Sequence, residues 1–196
     1  MNTPNRLTVL RLIFTPVFLV FMLAQFPHHY ALALIVFIGA SVTDLLDGKI
    51  ARKYNLITNF GKFLDPIADK LLTTAAFLAF IAFNMGYGIV WATFIVLARE
   101  FIVTSMRLLA AADGKVVAAN FWGKLKTVSQ IVAIIATIFF EYIISEGVYH
   151  YQLLSTSFVL PLRIIYSVCI WVSAIFALIS GVKYVADNKQ YIDIKK

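Results

Sequence analysis

Six almost continuously apolar runs, at about 8–26, 31–53, 61–83, 88–112, 121–144 and 158–186, constrain this 196-residue chain more than any other feature. A hydrocarbon layer about 30 Å thick needs about 20 apolar residues in helical form to cross it, because backbone polar groups inside it must be satisfied within the segment. Each run meets that length. The sequence therefore predicts an all-α integral membrane protein with six transmembrane helices. Ahead of the first run, MNTPNRLTVLR mixes Pro4, Asn5, Arg6, Thr8 and Arg11 with Leu7, Val9 and Leu10. This pattern suits a short amino-terminal interfacial helix, and without a small-residue cleavage site after it the segment is expected to be retained. A hydrophobic content of 61% excludes an ordinary soluble domain. The breaks at Pro27–His29, Asn55–Asn59, Asn84–Gly88, Asp113–Asn120 and Glu146–Ser157 are short, so a single membrane domain over 1–196 is expected.

Lys and Arg cluster at the amino terminus, in the 2–3 and 4–5 connections with their flanking helix ends, and at the carboxyl terminus; only Arg163 lies toward the other side. The positive-inside rule then puts both termini in the cytoplasm of a cell membrane. The net charge of +7 becomes a one-sided basic surface facing anionic lipid headgroups, and no nucleic-acid motif accompanies it. Cys169 is a lone cysteine, so neither a disulfide framework nor a thiolate metal site is available. His28 and His29 fall on the outer side, away from the acidic residues.

Residues 43–70, TDLLDGKIARKYNLITNFGKFLDPIADK, interrupt the apolar pattern. Asp44 and Asp47 are three apart, Asp65 and Asp69 four apart, so each pair shares a helix face. Gly48 and Arg52 extend the first face and Gly61 precedes the second. Four ionised carboxylates at a membrane edge repel one another, and each costs roughly 2.5–3.5 kcal/mol if carried to the bilayer centre; a bound cation removes that objection. Oxygen ligands alone select hard divalent ions, Mg²⁺ first and Mn²⁺ or Ca²⁺ second. Two ions held by shared carboxylates clamp the attacking and leaving oxygens of phosphoryl-type transfer. Pro66 admits two readings: a kink that frees the carbonyl of residue 62, or Asp65 as helix N-cap with proline at the first helical position.

The pattern DxxDGxxAR, eight residues, then GxxxDxxxD resembles the signature of the CDP-alcohol phosphotransferase family, with Asp44, Asp47, Gly48, Ala51, Arg52, Gly61, Asp65 and Asp69 at its specified positions. The resemblance implies a CDP-linked donor, usually CDP-diacylglycerol, whose lipid-side phosphorus is attacked by an alcohol with release of CMP. It implies Asp44, Asp47 and Asp65 as metal ligands, with Asp69 completing the two-ion site and acting as general base. It further implies close approach of the nucleotide at Gly48, Ala51 and Gly61, phosphate contact from Arg52, and donor contacts from Thr58, Asn5 and Thr8. A homodimer is implied by the family alone.

A basic set in apolar surroundings, Lys70, Arg99, Arg107, Lys124 and Lys126, suits an anionic acceptor. Arg99 lies near the middle of the fourth run, where an ionisable residue is functional by default, with Glu100 or a ligand phosphate as partner. Arg107 with Lys124 or Lys126 is predicted to bind the acceptor phosphate, and Arg99 to order the pocket wall. The stretches MNTPNRLTVLR, AREFIVTSMR and GKLKTVSQ are similar to family members whose acceptor is sn-glycerol 3-phosphate. The alternatives are another acceptor (inositol phosphate, serine or phosphatidylglycerol) or, from a different class, a divalent-cation transporter. The basic set disfavours serine, and carboxylates crowded at one boundary do not mark an ion path.

Overall fold

The computed structural model describes residues 3–54, 59–112, 121–152 and 154–189, with the backbone alone described at 3–7, 44–54, 59–63, 65, 66, 112 and 149. Among these residues there are no strands. Six long helices follow one another: α1 (Thr3–Leu23), α2 (His29–Tyr54), α3 (Asn59–Ala82), α4 (Ile89–Ala112), α5 (Phe121–Tyr142) and α6 (Val159–Asp187). Among the described residues, three helical stretches are long and apolar enough to cross a membrane: Ile89–Ala111, Phe121–Val148 and Thr156–Asp187.

Two local expectations are corrected, and the alternative left open at Pro66 is decided. The amino-terminal segment is not a separate interfacial helix: Thr3–Leu23 is one continuous helix, and its buried Thr8, Arg11 and Thr15 follow helical spacing into the bundle. Pro16 lies within this helix, exposed. The break expected from Glu146 begins later, since a wide helical turn carries α5 on through Ile143–His150. There the Tyr151 amide donates to the Glu146 carbonyl at 2.9 Å, while the Glu146 carboxylate accepts the His28 amide at 2.7 Å. Finally, α3 starts at Asn59 and passes through Pro66, so Asp65 is not an N-cap and the carbonyl of Lys62 loses its helical donor.

α1 packs on α2 and α3, α5 on α6 and α2, and α4 on α6. The core holds Phe18, Phe37, Phe77, Phe80, Ile134, Ile138 and Ile170. The buried face of α6 is dominated by small residues, Ser173, Ala174, Ala177, Ser180 and Gly181, which let neighbouring helices approach closely. Outward faces carry Trp91, Phe94, Phe101, Val168 and Val182, all exposed, as a lipid-facing surface requires.

The end of the bundle remote from the carboxylate stretch has its own polar tie. Tyr166 donates to Glu141 at 2.5 Å, and Arg163 lies 3.5 Å from the same carboxylate oxygen. The α3–α4 connection is pinned to α6 by the Tyr87 amide donating to Ser167 at 3.1 Å and by Trp171 donating to the Tyr87 carbonyl at 2.8 Å. Gly86 and Gly88, with φ of 103° and 68°, permit that turn, since L side chains avoid the left-handed region.

Candidate active site

α2 carries Asp44, Asp47, Gly48, Ala51 and Arg52, and α3 carries Gly61, Asp65 and Asp69. Of these, the side chain of Asp69 lies within the described residues; it is exposed. The side chains of the other seven, and that of Asn5 on α1, lie outside the described residues, as does Thr58 altogether. Among the described residues no group of three or more potential metal ligands occurs. The donor set the two helices carry is oxygen-only, which fits a hard divalent cation.

Asp69 opens onto a cavity of about 490 Å³ between α3, α4 and α5. Its lining includes Lys70, Arg99, Glu100, Arg107, Lys124 and Lys126. With Asp69 that is five basic side chains against two carboxylates, so the cavity is electropositive and suited to an anion. The whole basic set singled out in the sequence is thus brought to one place.

The cations differ in what already holds them. Arg99 donates to Glu100 at 3.1 Å and to the Ser180 hydroxyl at 2.7 Å. The same Glu100 oxygen accepts from the Lys126 ammonium. The side chains of Arg99, Glu100 and Lys126 are 10%, 16% and 8% exposed. Two nearly buried cations thus share one carboxylate, which leaves an uncompensated positive charge where screening by water is weak. Arg107 is more open: its Nε donates to the Tyr184 hydroxyl at 3.3 Å, and its guanidinium carbon lies 5.6 Å from that ring's centroid, a stacking that aims the planar fork. Lys124 is exposed at the rim.

α6 seats Arg99 in a second way. A Cβ built on Gly181 would stand 2.9 Å from Arg99 Cγ, closer than real carbon contacts allow, so the absence of a side chain there makes room for the arginine stem.

Residues that sequence reasoning passed over complete the pocket. Ser180 and Tyr184 come from α6, on which no candidate had been placed. Gln130, 2% exposed, lines the cavity one turn beyond Lys126. Arg11, expected at the interface, is instead 3% exposed and lines a smaller cavity of about 70 Å³ with Ser41, Asp69 and Thr73. The helical spacing of Thr8, Arg11 and Thr15 was the available signal for it.

The family model described as CDP-alcohol phosphatidyltransferase matches residues 1–179. A Bacillus subtilis protein named CDP-diacylglycerol–glycerol-3-phosphate 3-phosphatidyltransferase is 38% identical across 95% of both chains. A Rickettsia bellii protein of the same name is 33% identical across 97% of both. A Mycobacterium tuberculosis protein named as a probable phosphatidylglycerophosphate synthase is 42% identical over 68% of this chain and 64% of its own.

Proposed function

This chain belongs to the CDP-alcohol phosphatidyltransferase family, and from that premise we propose that it transfers the phosphatidyl group of CDP-diacylglycerol to sn-glycerol 3-phosphate, giving phosphatidylglycerophosphate and CMP. The observation that carries the acceptor is the electropositive cavity beside Asp69, lined by Arg99, Arg107, Lys124 and Lys126. An acceptor without a phosphate would leave the excess positive charge of the Arg99–Glu100–Lys126 cluster, and the open Arg107 and Lys124, without a counter-charge in the cavity. Curated relatives matched over nearly their whole length bear the name of this same reaction.

In this reading the donor's diacyl chains stay in lipid and its pyrophosphate meets the carboxylate stretch at the membrane boundary. Asp44, Asp47, Asp65 and Asp69 would hold two divalent ions, Mg²⁺ by donor chemistry, which supply charge neutralisation at the pyrophosphate and lower the cost of forming an alkoxide. Asp69, open to the acceptor cavity, takes the proton of the attacking hydroxyl as general base. That oxygen bonds to the lipid-side phosphorus, the bond from phosphorus to the CMP oxygen breaks, and CMP leaves with the electron pair. Arg107 and Lys124, the more open cations, hold the acceptor phosphate together with Lys126, while Arg99 orders the wall through Glu100. Gly48, Ala51, Arg52, Thr58 and Gly61, with Asn5 and Thr8 from α1, form the donor site. The six helices cross the cell membrane as one domain with both termini and the site on the cytoplasmic side, and the family favours a homodimer.

The test is an acceptor panel: purified protein, CDP-diacylglycerol and Mg²⁺ with glycerol 3-phosphate, inositol phosphate, serine or phosphatidylglycerol in turn, following CMP release. Glycerol 3-phosphate should be strongly preferred. Preference for any other alcohol would replace the acceptor, and no CMP release with any of them would remove the transferase reading.

A further inference from the structure

The acceptor cavity contains a neutral hydrogen-bonding group that the phosphate does not account for. Gln130 is 2% exposed, lines the cavity, and its amide nitrogen is buried with no hydrogen-bond partner. Such a donor is costly to leave unanswered, and native structures pair nearly all of them. The other neutral hydroxyls of the lining are engaged or less buried. Thr73 donates to the Lys70 carbonyl at 3.1 Å, Thr127 to the Gly123 carbonyl at 3.1 Å, and Thr104 is only half-buried. Among the described residues of this lining, the buried donors without a partner are Gln130 Nε2 and Arg99 Nε. The second belongs to the cationic wall; the first is uncharged and is suited to a hydroxyl rather than a phosphate.

Gln130 follows Lys126 by four residues on α5, so both side chains project from the same helix face. Asp69 lines the same cavity from α3. An acceptor whose phosphate rests on the cations and whose terminal hydroxyl reaches Asp69 has its middle carbon between them. We propose that Gln130 is an acceptor-binding residue that donates a hydrogen bond to the secondary hydroxyl of the phosphorylated triol, and so selects against three-carbon alcohol phosphates that lack this hydroxyl. The inference rests on the reading of the cavity as the acceptor site. A site built to bond a hydroxyl rejects the analogue lacking it far more strongly than an apolar pocket rejects an extra group.

The experiment compares glycerol 3-phosphate with 3-hydroxypropyl phosphate, which keeps the phosphate and the primary hydroxyl and lacks the secondary one. Full-length protein in micelles is assayed with both, as wild type, Gln130→Leu and Gln130→Met, alongside thermal unfolding. Wild type should favour glycerol 3-phosphate roughly ten- to a hundredfold in kcat/KM. Both variants should bring the two acceptors within about threefold of each other, through a raised KM for glycerol 3-phosphate, with the CDP-diacylglycerol KM and the unfolding temperature unchanged. The unfolding temperature separates this role from a structural one, since removing an unpartnered buried amide does not loosen the fold. Wild type that does not distinguish the acceptors, or variants that lose activity on both equally, would overturn the assignment while leaving the acceptor cavity standing. Wild type inactive with glycerol 3-phosphate would instead remove the acceptor reading and the inference with it.

Discussion

Arg99 on α4 donates to the hydroxyl of Ser180 on α6 at 2.7 Å, and the neighbouring Gly181 leaves open the space that the arginine stem fills. The link spans 81 positions of sequence and sets the direction of a guanidinium in the cavity beside Asp69. A charge-assisted hydrogen bond is worth about 1.5–3 kcal/mol, so Ser180→Ala is expected to raise the KM for glycerol 3-phosphate roughly ten- to a hundredfold. Gly181→Ala should act in the same direction by pushing the stem aside. Steady-state kinetics with each substrate varied in turn would reveal it; an effect confined to the CDP-diacylglycerol KM would contradict the role given to α6.

Glu100 is the carboxylate shared by Arg99 and Lys126. Removing it strands two nearly buried cations, and breaking such a pair costs about 3–5 kcal/mol. Glu100→Gln should therefore lower the unfolding temperature in micelles more than Lys126→Met, which leaves the Arg99–Glu100 contact in place. If Glu100→Gln unfolds at the wild-type temperature, the network is not what holds α4 to α5 here.

Arg107 is the more open arginine of the cavity, aimed by Tyr184. Arg107→Ala should raise the acceptor KM by roughly ten- to a hundredfold with the donor KM little changed. Tyr184→Phe keeps the ring and removes the hydroxyl, so its effect should be several times smaller. The basic set would have to be reassigned to the donor if Arg107→Ala weakened CDP-diacylglycerol alone.

If the carboxylates of α2 and α3 hold the divalent ions as proposed, the activity depends on them. Asp44→Asn, Asp47→Asn and Asp65→Asn should each abolish CMP release while the protein stays folded by circular dichroism, and EDTA should do the same reversibly. Asp69→Asn should damage turnover more than donor binding. Full activity in excess EDTA would eliminate the two-ion mechanism.

The charge bias of alternate connections supports the proposed orientation, which labelling can read. In a Cys169→Ala background, cysteines placed at Asn2 and Lys195 should react with an impermeant reagent only from the cytoplasmic side, and one at His29 only from outside. Outward labelling of either terminus would break the six-crossing topology.

Run length and polarity along the chain were sufficient to locate the six long helices of the described residues to within a few residues, because an apolar run bounded by polar breaks of this length satisfies its own backbone as helix. The basic set was also legible, and spacing along one helix decides which residues share a face. Spacing does not say which other helix that face meets. Only the packing of α4 against α6 and of α5 beside α4 decided that Lys126 is tied to Glu100, that Arg99 rests on Ser180 and Gly181, and that Tyr184 aims Arg107. The same holds for Arg11, which the local sequence placed at the interface and the continuous α1 carries inward, and for Gln130, whose amide is buried without a partner only because three helices close around it. These are contacts between residues far apart in the chain, and a one-dimensional pattern of polarity holds no information about which distant side chain will stand opposite.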